Sequence, residues 1–131
     1  MNENVIIDTS AWIDFFNHAD SEHSDVTEQL IRGGQAVLVG PVVFELLQGA
    51  RSAKEGTLIT ESLRILPFLE TNEESWYEAG LLSRGLRSKG ITIPMSDCLI
   101  AAAAKTHSCL VYTLDQHFRH FPELLFQPST P

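Results

Sequence analysis

The sequence predicts an α/β fold, an open three-layer α/β/α sandwich with a small, mostly parallel central sheet. Three observations carry that expectation. Short apolar, β-branched runs alternate with amphipathic helical stretches along the chain. Strands that alternate with helices pair in parallel through right-handed crossovers. The chain of 131 residues, 44% hydrophobic and 20% charged, has the size and balance of one ordinary globular domain with a sizeable core.

Residues 4–7 read as a first strand that ends at Asp8. Thr9 and Ser10 can cap a short helix through Phe16. A second helix follows Ser21, with Val26, Leu30 and Ile31 at helical spacing, and Gly33-Gly34 stops it. Residues 36–39 form a second strand closed by Gly40-Pro41, and proline suits the first turn of the helix that carries Glu45. Residues 57–66 are amphipathic, with Pro67 as a breaker. A long helix is expected over residues 73–88, with Trp76, Leu81, Leu82 and Leu86 as its buried stripe and Gly90 at its end. After a linker at residues 91–94, Ser96 caps a helix whose alanines 101–104 allow close packing on a sheet. Residues 109–113 are the clearest interior strand, and a last short one is expected near Leu125 and Phe126.

No internal repeat is visible, so residues 1–131 read as a single domain with a flexible tail over about residues 127–131. No apolar run approaches the roughly 20 residues that span a bilayer. The opening Met1-Asn2-Glu3-Asn4 does not resemble a signal segment, and a cytoplasmic location without membrane contact is expected. Cys98 and Cys109 are too few for a disulfide framework and read as buried free thiols. The net charge of -8 excludes a general electrostatic grip on nucleic acid. A chain of this charge that acts on nucleic acid must first neutralise its own acids.

Four acids stand where such a fold would gather them. Asp8 and Asp115 follow strands and project at the carboxyl edge of the sheet, where α/β proteins place their functional crevice. Glu45 lies one turn into a helix amid Val43, Phe44, Leu46 and Leu47, an expensive place for a lone carboxylate. Asp97 occupies the first turn of the alanine-rich helix. Each has an ordinary explanation: Asp8 as a helix cap, Asp97 as a partner of its helix dipole, Asp115 as a turn residue, Glu45 in an ion pair with Arg51 or Lys54. Together, however, converging carboxylates repel and raise one another's pKa values. A hard divalent cation, Mg²⁺ or Mn²⁺, removes that penalty, accepts oxygen ligands and keeps waters, one of which can become a nucleophile. It also reverses the local sign of charge, so that an acidic protein can hold a phosphodiester.

Four blocks of sequence carry a resemblance. They are Val5-Ile6-Ile7-Asp8-Thr9-Ser10, Pro41-Val42-Val43-Phe44-Glu45-Leu46, Pro94-Met95-Ser96-Asp97-Cys98-Leu99-Ile100-Ala101-Ala102 and Tyr112-Thr113-Leu114-Asp115-Gln116-His117-Phe118. In this order and spacing they resemble the PIN-domain family, in particular the VapC-type toxins of bacterial toxin–antitoxin pairs. The resemblance implies a PIN-like sandwich and an Mg²⁺- or Mn²⁺-dependent endoribonuclease. It places Asp8, Glu45, Asp97 and Asp115 at an acidic catalytic site, with Asp8, Asp97 and Asp115 as metal ligands. Thr9 would lie beside Asp8 and Thr113 near Asp115 as supporting hydroxyls. The family also implies a homodimer and a cognate antitoxin that blocks the site. Many relatives carry another acid two residues after the one matched by Asp115; this chain has His117 there.

Other features are weaker. His107, Cys109, His117 and His120 match no familiar zinc spacing, and His117 and His120 read as a surface turn anchored by Phe118 and Phe121. Arg84, Arg87 and Lys89 form the densest basic cluster, either favouring their helix C-terminus or contacting RNA phosphates. Trp12, Phe15, Phe16, Trp76 and Tyr77 read as core or dimer contacts. Among rival functions, a phosphatase with Asp8 as nucleophile would want an acid where Ser10 stands. A phospho-receiver signalling module would want paired acids after the first strand and a lysine near Thr113. A catalytically inactive PIN-like binding module would have lost core acids, and all four are present.

Overall fold

The computed structural model describes residues 3–128. Residues 1–2 of the opening stretch and 129–131 of the expected tail lie outside them, while Gln127 and Pro128 are exposed. Among the described residues, no helix is long and apolar enough to cross a membrane.

The chain runs β1 (Val5–Ile7), α1 (Thr9–Asn17), α2 (Glu22–Arg32), β2 (Ala36–Val39), α3 (Gly40–Gln48), α4 (Ala53–Leu63), β3 (Phe68–Leu69), α5 (Glu73–Arg87), α6 (Met95–Thr106) and β4 (Leu110–Tyr112). Two short 3-10 turns, Gln116–His120 and Pro122–Leu124, follow. The strands form one four-stranded sheet in the order β3-β2-β1-β4, and every pairing is parallel. Val111 makes one further parallel bridge to Leu125, which is all that remains of the expected last strand.

Successive strand residues point to opposite faces of a sheet. Val5, Ile6 and Ile7 are all fully buried, so helices cover both faces and the sandwich has three layers. The side chains of Ala101, Ala102, Ala103 and Ala104 are likewise fully buried, because small residues let α6 approach its neighbours closely. Lys105 and Glu78 tie α6 to α5 through an ion pair of 2.6 Å.

Local chemistry sets the element ends. Ser21, Ser52 and Asn72 accept backbone N–H bonds from Ser24, Glu55 and Ser75 and so cap α2, α4 and α5. The Ser52 cap starts α4 at Ala53, four residues before the expected beginning. Gly34 takes a positive φ of 71° just after α2, a conformation that costs glycine little. The helix of Asp97 starts at Met95 with Pro94 before it, so Ser96 lies inside its first turn rather than at the cap.

The buried stripe of α5 differs from the expected one. Ser75, Ala79 and Leu86 are its buried residues, whereas Trp76 is 51% and Leu81 61% exposed. Tyr77 is exposed too, so the first half of this helix turns small residues inward and large apolar ones outward, while Leu86 near its end stays in the core as expected. On α1 the aromatic cluster divides, with Trp12 buried, Phe15 half-buried and Phe16 more exposed.

Candidate metal centre

Asp8 leaves the sheet where β1 and β4 run side by side. Ile7 pairs with Tyr112, and the Asp8 N–H donates to the Tyr112 carbonyl at 2.9 Å. The backbone of Asp8 is extended and precedes α1, yet its side chain does not cap that helix. Instead Oδ2 accepts hydrogen bonds from Ser10 Oγ at 2.9 Å and Thr113 Oγ1 at 2.7 Å. Ser10 Oγ also accepts the Leu114 N–H at 2.9 Å, which ties the α1 start to the chain beyond β4. Asp8 is buried, and desolvation raises its carboxyl pKa above the ordinary range. The two hydroxyl bonds oppose that rise, and the charge of Asp115 adds to it.

Asp97 arrives from another element, on the first turn of α6, and is also buried. Its pKa is pushed up to about 6, chiefly by burial. A hydrogen bond from His117 opposes the rise, and the negative charges of Asp8 and Asp115 both increase it. The carboxylates of Asp8, Asp97 and Asp115 therefore share one electrostatic neighbourhood.

Asp115 caps the 3-10 turn that follows β4, its Oδ1 accepting the His117 N–H at 2.9 Å. That turn is fixed by Phe118 and Phe121, both buried. The His117 side chain folds back over the site, its Nδ1 2.8 Å from Asp97 Oδ2 and 3.3 Å from Asp115 Oδ1. One potential ligand atom from each of Asp97, Asp115 and His117 lies within 4.8 Å of the others. Asp8 stands outside this tight triplet, though near enough for its charge to act on Asp97.

Glu45 sits on α3 and is held at both oxygens. Thr9 donates to Oε1 at 2.7 Å and Ser96 to Oε2 at 3.0 Å, so the carboxylate joins the first turns of α1 and α6. These hydroxyls, not Arg51 or Lys54, satisfy it; Arg51 reaches Glu55 at 3.5 Å instead. The two supporting threonines thus serve partners that spacing alone does not assign: Thr9 binds Glu45, and Thr113 binds Asp8.

Three site residues escape a reading of the acids alone. Ser10 and Ser96 adjoin the acidic blocks, and a hydroxyl beside a strand-end acid is the one signal that points to them. His117, expected in a surface turn, is partly exposed but bonded to Asp97.

Among the described residues, no lysine or arginine pairs with Asp8, Glu45, Asp97 or Asp115. Asp8 and Asp97, buried, raised in pKa and close to the charge of Asp115 with no lysine or arginine beside them, fit a hard divalent cation. The candidate zinc set does not assemble among these residues. His107 Nε2 lies 2.8 Å from the Glu70 carbonyl, Cys109 is buried, and only His117 joins a ligand cluster. Arg84, Arg87 and Lys89 are exposed at the end of α5, and among the described residues their side chains form no ion pair with the acids.

A family model described as PIN domain matches residues 5–124. The VapC ribonuclease Mb1587 of Mycobacterium bovis is 28% identical over 118 residues, covering 87% of this chain and 88% of that protein. Ribonuclease VapC11 of Mycobacterium tuberculosis matches with the same identity and coverage. The fold is similar to that in VapBC2 from Rickettsia felis bound to a promoter DNA fragment, with a TM-score of 0.76, 21% identity, and 94% and 96% of the two chains covered. It is also similar to FitAcB from Neisseria gonorrhoeae, with a TM-score of 0.75, 21% identity, and coverage of 92% and 94%.

Proposed function

Since this chain belongs to the PIN-domain family, we propose that it is a divalent-metal-dependent endoribonuclease and the toxin of a toxin–antitoxin pair. The observation that carries the reading is that Asp8 and Asp97 are buried beside the charge of Asp115, with no lysine or arginine paired to any of the three among the described residues. Curated relatives named as VapC ribonucleases support it. An inactive binding module is disfavoured, because all four core acids are present and hydrogen-bonded in place.

Asp8, Asp97 and Asp115 are the residues that would hold Mg²⁺ or Mn²⁺, with Glu45 assisting. When bound, such an ion supplies an activated water at neutral pH and offsets charge on the scissile phosphate. The protein's own part is orientation. Ser10 and Thr113 fix the Asp8 carboxylate, while Thr9 and Ser96 fix that of Glu45. Hydrogen bonds of this kind hold metal ligands in their working geometry. No protein nucleophile is required. The exposed Arg84, Arg87 and Lys89 would contact RNA phosphates.

Two exposed apolar surfaces suit protein partners in a cytoplasmic setting. Phe44, Trp76, Tyr77, Leu81 and Met95 are all exposed on α3, α5 and α6, a composition suited to a homodimer face. A groove of about 350 Å³, lined by Ile13, Phe16, Leu46, Leu58 and Ile59, reaches Glu45 and suits an apolar segment of an antitoxin.

The test is incubation of the purified protein with structured and unstructured RNA, with and without Mn²⁺. Metal-dependent internal cleavage, stopped by chelation and absent from Asp8→Asn, is expected. Cleavage that persists in Asp8→Asn, or none with any RNA and ion, would overturn the reading.

A further inference from the structure

We propose that His117 is itself a ligand of the ion, supplying a nitrogen donor that turns the site from Mg²⁺ toward first-row transition-metal dications. The inference rests on the metal-dependent reading above and adds to it the identity of one donor and a preference among ions.

The geometry is that of neighbouring ligands. Donors at right angles about an octahedral ion, each about 2.1 Å from it, are about 3.0 Å apart. His117 Nδ1 is 2.8 Å from Asp97 Oδ2, in the hydrogen bond described above, and 3.3 Å from Asp115 Oδ1, with the ligand atoms of the three residues all within 4.8 Å of one another. Once Nδ1 gives up its hydrogen on the ion's arrival, the nitrogen stands at ligand-to-ligand spacing from both carboxylates. The imidazole is not a loose surface group. Its backbone N–H is bound to Asp115 Oδ1, and the next residue, Phe118, is fully buried. The side chain is nonetheless 46% exposed, which leaves the ion a way in.

Donor chemistry then sets the preference. Mg²⁺ favours oxygen donors and binds imidazole weakly, whereas affinity for a mixed nitrogen and oxygen set rises from Mn²⁺ through Co²⁺ and Ni²⁺. An acid at this position would give an all-oxygen site. A histidine gives one in which Mg²⁺ gains least.

The experiment uses the full chain loaded with Mn²⁺ and reads pulsed electron paramagnetic resonance for nitrogen coupled to the ion. The wild-type protein is expected to show imidazole nitrogen coupling that changes on ¹⁵N-histidine labelling and disappears in His117→Gln and Asp97→Asn. Calorimetry should show Mn²⁺ affinity falling by about ten- to a hundredfold in His117→Gln, with Mg²⁺ affinity changing much less. His117→Asp should narrow the Mn²⁺-to-Mg²⁺ ratio by at least about tenfold. Mn²⁺ bound at an Asp97-dependent site without nitrogen coupling would overturn the role of His117 and leave the nuclease reading standing. Absence of any Asp97-dependent Mn²⁺ binding would overturn both. Because labelling marks all five histidines, His117→Asp makes the same assignment should His117→Gln fail to fold, and nitrogen coupling that persists in it would overturn the role of His117.

Discussion

Thr113 donates its hydroxyl to Oδ2 of Asp8 at 2.7 Å, across 105 positions of sequence. The contact exists because β1 and β4 are neighbours in a parallel sheet, and it places a hydroxyl from just beyond the last strand against the first acid. Replacing Thr113 with valine keeps the shape and removes the donor. The Asp8 pKa should rise further, because one of the bonds that oppose desolvation is gone. Cleavage should fall by about 10- to 100-fold, the usual loss when a bond that orients a ligand is removed. Carboxyl titration by NMR, beside initial cleavage rates, checks both; an unchanged Asp8 titration would refute the account.

Asp8→Asn and Asp97→Asn should each lower cleavage by more than about a hundredfold, beyond the usual loss from an orienting partner. In the metal-free protein both should melt at the wild-type temperature or above it. Each removes a buried charge that its neighbours disfavour. Calorimetry in the presence of chelator reads this directly, and a clear drop in melting temperature would mark these acids as structural.

The pH dependence has a definite sign. An unfolded aspartate releases its proton near its ordinary pKa, but Asp97 in the folded chain holds it up to about 6. Between those values the folded state binds more protons, so metal-free stability falls as pH rises toward about 6. Asp97→Asn should flatten that slope. Ion affinity should move the other way, weakening below about pH 6 as the carboxyl takes up its proton. Melting curves and calorimetric titrations at roughly pH 5 and pH 7.5, on either side of that value, check the two trends.

Arg84→Ala combined with Arg87→Ala should weaken RNA binding more at low salt than at high salt. Each lost phosphate contact should flatten the dependence of log affinity on log salt by about 0.7 for single-stranded RNA. Binding titrations over a salt series, using Asp8→Asn to prevent cleavage, measure the slope. An unaltered slope would leave both arginines only to their helix terminus.

Trp76→Glu and Tyr77→Glu should convert a dimer into a monomer without lowering the melting temperature by much, since both side chains face solvent in the isolated chain. Sedimentation over a concentration series is the measurement. A wild-type protein that stays monomeric throughout would remove the proposed homodimer face.

Much of this architecture was legible from residue pattern. β1, β2 and β4 are β-branched runs ended by Asp8, Gly40 and Thr113, and buried strands of this kind advertise themselves. β3 is only Phe68 and Leu69 directly after Pro67, too short for any period to register. Of the stripe expected on α5, Leu86 is buried and Leu82 packs against the core, but Trp76 and Leu81 face outward, because burial against α6 selects Ser75 and Ala79 for their small size. At the site, the acids declare themselves by standing at strand ends or amid apolar neighbours. Ser10, Ser96 and His117 act across elements, and a side chain's reach over a tertiary gap leaves little trace in local sequence.

The four alanines in the second half of α6 carry no functional group, yet their complete burial holds the helix that carries Asp97 close against the core. Extra bulk there has nowhere to go and would lift the helix, carrying one half of the charged centre away from the other. Evolution can therefore disarm this protein without altering any acid: a single larger side chain, about a turn along from Asp97, would suffice.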